Sequence, residues 1–136
     1  MSRGNEEVTE VTRLSWDDYF SAVCKVIASR ADCRRAQVGA VIVKDHRIVA
    51  TGYNGSPAGG ASCVDGECPR GLLSEEELAS LTPDYSNCIA LHSEMNAIAY
   101  ASRSETEGAT IYLSMDPCDM CNKLIRAAGI TRVVVG

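Results

Sequence analysis

Residues Ala109 to Val135 constrain the fold more than any other stretch of the chain. Ala109-Thr-Ile-Tyr-Leu113 is a short apolar run rich in β-branched and aromatic residues, which reads as a strand. Pro117 then stands where a helix can begin. Cys118 to Ala128 places Leu124, Ile125 and Ala128 inward at helical spacing, and Gly129 is suited to a helix C-terminus. Ile130-Thr-Arg-Val-Val-Val135 is a second strand. Strand, helix and strand at these spacings form a βαβ unit, which predicts parallel pairing and a right-handed crossover.

The first half has a different rhythm. Ser15-Trp16-Asp17-Asp18 reads as a capping box, and Trp16, Tyr19, Phe20, Val23, Val26 and Ile27 recur at helical spacing to about Ala31. That predicts one amphipathic helix with its apolar stripe on the core. Val38 to Val43 is a continuous apolar run, too short for a typical helix, and Arg47 to Thr51 follows after the polar break Lys44-Asp45-His46. Two strands in an antiparallel hairpin are the simplest outcome. Asn54-Gly55-Ser56-Pro57 ends the second strand, and a long loop follows to Asn87 with a helical turn expected around Ser74 to Leu81. A loop of that length inside a compact domain implies a function or a crosslink. After His92 a further helix is expected, with Met95, Ile98 and Ala99 on one face. The whole is an α/β chain whose mixed sheet lies between helices. At 136 residues it is expected to form one domain over 1–136, with residues 1–11 disordered.

Charge and composition narrow the function classes. A formal net charge of −5 and an aromatic content of 5% do not make a groove for a nucleic-acid polymer. No apolar run reaches the ~18 residues of a membrane span, and the start carries no signal-peptide core, so a cytoplasmic location is expected. Seven cysteines in such a chain are an odd number that cannot close fully on itself as disulfides. Metal binding is therefore the first reading to test.

Two short motifs carry the chemistry. His92-Ser93-Glu94 opens one helix and Pro117-Cys118-Asp119-Met120-Cys121 opens the next. Cys118 and Cys121 are one helical turn apart and face the same side, at a helix start whose unpaired N–H groups favour thiolate. Two thiolates and the His92 imidazole supply three zinc ligands and leave the fourth tetrahedral position to solvent, whose pKa zinc lowers. Glu94, two residues beyond His92, is then placed to carry protons from that solvent to a substrate nitrogen, as displacement of an amine from a ring carbon requires. His-x-Glu followed by Pro-Cys-x-x-Cys is the general signature of zinc deaminases acting on nucleobases. Taken alone, the cysteine pair also reads as a redox pair or as small buried hydrophobes, and His92 as a structural histidine.

Gln37 to Val43, Thr51-Gly52-Tyr53-Asn54-Gly55-Ser56-Pro57-Ala58-Gly59-Gly60, His92-Ser-Glu-Met-Asn-Ala-Ile98 and Pro117-Cys-Asp-Met-Cys121 together resemble the deoxycytidylate deaminase family of the cytidine deaminase superfamily, from about Ser15 to Gly136. The resemblance implies a three-layer α/β/α fold with a mixed sheet, of which four strands are visible here and a fifth is expected. It implies hydrolytic deamination of deoxycytidine 5′-monophosphate, with His92, Cys118 and Cys121 on zinc and Glu94 as proton shuttle. By the same resemblance Asn54 holds the sugar 3′-hydroxyl and Ile89, Ala90 and Leu91 lie near the base. Arg34 and Arg35 stand where the family places charge for the phosphate, their other reading being solvated surface arginines. Gly52, Tyr53, Gly55, Ser56 and Pro57 match a segment implicated in binding a deoxycytidine or thymidine triphosphate effector with magnesium, in homo-oligomers that are commonly hexamers. A glycine-rich turn closing the hairpin is the plainer reading of those residues.

Two departures from the family pattern stand out. Met115-Asp116 precedes Pro117, which bears on recognition of the base, and the sequence stops at Gly136, where the family continues into a further strand and helix. Cys33, Cys63, Cys68 and Cys88 are surplus to the first site. They read either as a second, structural zinc site or as buried thiols. Other cytosine nucleotides, nucleosides or modified pyrimidines are the alternative substrates, and an inactive zinc-stabilised assembly module is the alternative class.

Overall fold

A computed structural model describes residues 11–33, 36–55, 74, 76 and 91–136. Helix α1 spans Trp16–Ala28, strands β1 and β2 span Gly39–Lys44 and Arg47–Tyr53, and helices α2 and α3 span Ser93–Ala99 and Arg103–Thr106. Strand β3 (Thr110–Leu113), helix α4 (Asp119–Ala127) and strand β4 (Arg132–Val135) follow. Among the described residues the sheet has four strands in the order β2-β1-β3-β4. β1 is antiparallel to both its neighbours, and β3 runs parallel to β4 as the βαβ reading required.

The two-residue turn Asp45-His46 has φ of 52° and 58°, the left-handed pair that matches the twist of a tight hairpin. Val49 is an extra residue in β2, since Ile42 pairs with Ala50 and Val43 with Ile48. Beyond this bulge, Ala50 and Gly52 stand opposite Ile42 and Ala40 on one face.

Strand periodicity divides the core into two layers. Val41, Val43 and Tyr112 point to one face and pack with Phe20 and Cys24 of α1. Ala40, Ile42, Ile111 and Leu113 point to the other, where Ala97 of α2 and Ile125 of α4 cover them. The result is a three-layer α/β/α arrangement.

Several expectations are corrected in detail. The buried row of α1 is Phe20, Cys24 and Ala28, while Trp16, Tyr19 and Val26 are exposed. Val23 and Ile27 pack, partly buried, beside that row, while Trp16, one turn before Phe20, stacks on the exposed turn residue His46. In α2 the buried residues are Ser93, Glu94 and Ala97, and Ala99 is exposed. Ile98 packs, partly buried, against the core, and the close backbone approach falls at Ser93 and Ala97, where small side chains stand. Pro117 lies one residue before the N-cap of α4, which is Cys118, and the short helix α3 was not foreseen. The frayed start, the long loop after Gly55 and its helical turn lie outside the described residues, apart from Ser74, Glu76 and Val11.

Two approaches set the layer spacing. A Cβ on Gly39 would collide with the α1 backbone at Cys24 and Ala28, and a Cβ on Gly52 with the α2 backbone at Ser93 and Ala97. Gly52→Ala is expected to lower stability by about 1–3 kcal/mol, read from urea unfolding, because backbone rather than a flexible side chain must give way.

Asp17 ties α1 to the sheet by accepting from the Tyr112 hydroxyl at 2.6 Å and from Arg132 Nη1 at 2.9 Å. The Arg132 guanidinium, then the Tyr112 hydroxyl, hold its carboxyl down from an ordinary 3.8 to about 2. A depressed carboxylate contributes stability above its unfolded value and loses it as pH falls through the folded one. The difference in urea midpoint between the parent chain and Asp17→Asn is therefore expected to shrink from about pH 5 to about pH 2, and to be smaller in high salt.

Candidate metal centre

β1 begins, and β2 and β3 end, at the same end of the sheet. Gly39 pairs with Tyr53, Ala40 pairs with Leu113, and the Ser114 hydroxyl accepts from the Gly39 N–H at 3.0 Å. Both helices of the second layer start there. α4 follows β3 directly, and α2 is fixed by a bridge in which Leu91 N–H donates to Gly55 O at 2.8 Å and Gly55 N–H to Leu91 O at 3.1 Å. Open α/β sheets commonly build their sites at such carboxyl ends of strands.

His92 is the N-cap of α2, Cys118 is the N-cap of α4, and Cys121 lies in the first turn of α4. His92 Nδ1 stands 3.2 Å from Cys121 Sγ and 3.5 Å from Cys118 Sγ, and the donor atoms of all three residues lie within 4.8 Å of one another. A tetrahedron with Zn–S of about 2.3 Å and Zn–N of about 2.0 Å has N···S edges of about 3.5 Å. The triangle therefore fits zinc in both size and donor type, with Nδ1 as the ring nitrogen presented. The Cys121 N–H also points at Cys118 Sγ, 3.4 Å away, so the helix start assists one of the two sulfurs.

The surroundings favour a cation. Cys121 is fully buried and Glu94 is 5% exposed. Burial, and then the Glu94 carboxylate beside it, push the Cys121 thiol above its ordinary value. A dication held between two sulfurs beside a carboxylate is favoured electrostatically. Glu94 Oε1 accepts from the Ser93 hydroxyl at 2.9 Å, and Ser93 is itself buried.

Asn54 joins the same end of the sheet. Its Oδ1 accepts from the Val38 N–H and its Nδ2 donates to the Ala36 carbonyl, both at 2.8 Å, which uses two of the four hydrogen bonds an amide can make. Gly52 and Gly55 are buried, Tyr53 and Leu91 half-buried, in the frame beneath the centre. Cys33 is half-buried, and Cys24 is a core thiol pushed up to about 11 by burial. Arg34, Arg35, Ser56, Pro57, Cys63, Cys68, Cys88, Ile89 and Ala90 lie outside the described residues. Met115 and Asp116, singled out for recognition of the base, are exposed.

Ser93, Asn96 and Ser114 were not anticipated as parts of the site. Asn96 and His92 are four apart on one helix, a spacing that could have drawn attention to the amide. The contacts of Ser93 and Ser114 depend on tertiary approach and leave no local pattern.

An α/β/α sandwich presenting a histidine and two cysteines at adjacent helix N-termini defines a class of zinc-dependent hydrolytic enzymes. The chain belongs to the cytidine and deoxycytidylate deaminase family, whose zinc-binding region model matches residues 14–136. It is 46% identical over 128 residues to the deoxycytidylate deaminase of Mycobacterium phage D29, a match covering 91% of this chain and 96% of that protein. It is 37% identical over 123 residues to the deoxycytidylate deaminase of Schizosaccharomyces pombe, covering 90% of this chain and 37% of that protein. The crystal structure of dCMP deaminase from the cyanophage S-TIM5 in complex with dCMP and dUMP superposes with a TM-score of 0.65 at 27% identity, over 90% of this chain and 82% of that one.

Cys121→Ser is expected to lower the zinc-to-chain ratio of protein purified without added metal, whereas Cys24→Ser on the opposite sheet face leaves it unchanged. Mass spectrometry of the metal content checks both.

Proposed function

We propose that this chain converts deoxycytidine 5′-monophosphate and water to deoxyuridine 5′-monophosphate and ammonia. The observation that carries the reading is the triangle of His92, Cys118 and Cys121 with a buried carboxylate, Glu94, at its side. The 46% identity to a phage deoxycytidylate deaminase supports the choice of substrate. His92, Cys118 and Cys121 would hold zinc, which when bound supplies a water of lowered pKa near neutral pH. Glu94 is the proton carrier. Its carboxylate takes a proton from the attacking water and gives it to ring nitrogen N3 as the oxygen joins C4. It then moves the second proton to the exocyclic amine, the C4–N bond breaks, and ammonia leaves. The hydrogen bond from the Ser93 hydroxyl to Oε1 orients the carboxylate and leaves Oε2 for the proton transfers.

Asn54 is assigned the sugar 3′-hydroxyl. Support comes from its place beside the Gly55–Leu91 bridge, next to His92, and from the amide capacity left after its two backbone bonds. Gly52 and Gly55 are assigned to the frame that holds this segment, because neither is exposed.

Ammonia release from deoxycytidine monophosphate and from deoxycytidine tests the reading. The monophosphate is expected to be the better substrate by kcat/KM. Glu94→Gln is expected to retain zinc and fold while losing about 10²–10⁴-fold in turnover. Equal rates for Glu94→Gln and the parent, or activity on neither compound, would overturn the assignment.

A further inference from the structure

We infer that Asn96 is a positioning residue that sets where the Asn54 amide stands relative to Glu94, and through it governs recognition of the substrate's sugar. The inference rests on the assignment of Asn54 to the sugar hydroxyl. Asn96 lies one turn beyond His92, and its backbone N–H donates to the His92 carbonyl at 3.0 Å. Its side chain leaves the helix altogether. Nδ2 donates to the Tyr53 carbonyl at 2.7 Å and reaches the Gly55 carbonyl at 3.5 Å. Those two carbonyls flank Asn54, so a single amide nitrogen with two N–H groups grips the chain on both sides of it.

This grip is additional to the backbone bonds of the segment, and it is the one made by a side chain of α2. The β1–β2 ladder ends at the pair Gly39 and Tyr53; beyond it the Asn54 N–H donates to the Val38 carbonyl at 3.2 Å, the Asn54 carbonyl accepts from the Asp32 N–H at 2.9 Å, and Gly55 is bridged to Leu91. Asn54 is fastened on one side to Ala36 and Val38, and Asn96 fastens its neighbours on the other. The second clamp belongs to the helix that presents both His92 and Glu94. Sugar contact and proton carrier are therefore registered to one rigid body. Asparagine is a mediocre residue for a helix interior, because its amide competes with the ladder. Here that amide is committed to another segment. The Asn96 amide is bonded to the carbonyls on either side of Asn54, and its effect on the substrate is exerted through Asn54.

Zinc-loaded parent, Asn96→Ala and Asn54→Ala chains are compared on deoxycytidine monophosphate and on its 2′,3′-dideoxy analogue, which lacks the 3′-hydroxyl. Calorimetric binding of deoxyuridine monophosphate gives a readout independent of turnover. Asn96→Ala is expected to reduce kcat/KM on the natural sugar by about 10- to 100-fold, mostly through KM, and to weaken product binding in step. On the dideoxy analogue the loss is expected to be small, and zinc content unchanged. Equal losses on both substrates would mean a structural role only, and would overturn the inference while Asn54→Ala still discriminates. If Asn54→Ala also treats the two sugars alike, the assignment of Asn54 falls instead. Should Asn96→Ala fail to fold, Asn96→Asp keeps the shape without the donor and is read on the same two substrates.

Discussion

The parallel pairing of β3 with β4 leaves the chain no short way back, so α4 must cross over the sheet between them. Its N-terminus therefore lies at the end of β3, beside the start of β1. α2 reaches the same end by a different route, through its bridge to the end of β2. The convergence of two helix N-termini follows from strand direction, and the metal triangle follows from that convergence. Loss of either strand pairing would separate His92 from the two cysteines, although the motifs themselves would be intact.

A close approach between backbones makes the convergence tight enough for chemistry. With Gly52 under Ser93 and Ala97, α2 sits lower on the sheet than side chains would allow elsewhere. That brings Ser93 and Glu94 into the interior. The same burial keeps Glu94 away from bulk solvent, which suits the proton-carrying role proposed for it. The triangle's ligands come from two separate helices that only the fold brings together, so metal affinity and fold stability are linked.

The opposite face of the sheet does different work. There α1 packs with Phe20 and Cys24 on Val41, Val43 and Tyr112, and the Asp17 contacts to Tyr112 and Arg132 fix its angle. No residue of this layer belongs to the metal triangle. Its cysteine, Cys24, is a core thiol, which illustrates how little cysteine identity says before position is known.

The metal motif was readable from the sequence because helix starts and one-turn spacing are local properties: Cys118 and Cys121 face one side whatever surrounds them. Strands β1 to β4 and the hairpin were readable for the same reason, since apolar runs and a two-residue turn encode their own geometry. Periodicity failed where the partner surface decided burial. Trp16, Tyr19 and Val26 carry the right spacing yet stay exposed, while Phe20, Cys24 and Ala28 are buried and Val23 and Ile27 pack beside them. In α2 the periodicity points to Met95, Ile98 and Ala99; Ile98 does pack against the core, but the buried residues are Ser93, Glu94 and Ala97. Only the tertiary structure could decide that, because an approach of backbone to backbone at Gly52 has no signature in either segment alone. The same holds for Asn96. Its amide reads locally as a weak helix residue, and its bonds to Tyr53 and Gly55 exist only once β2 and α2 are packed together.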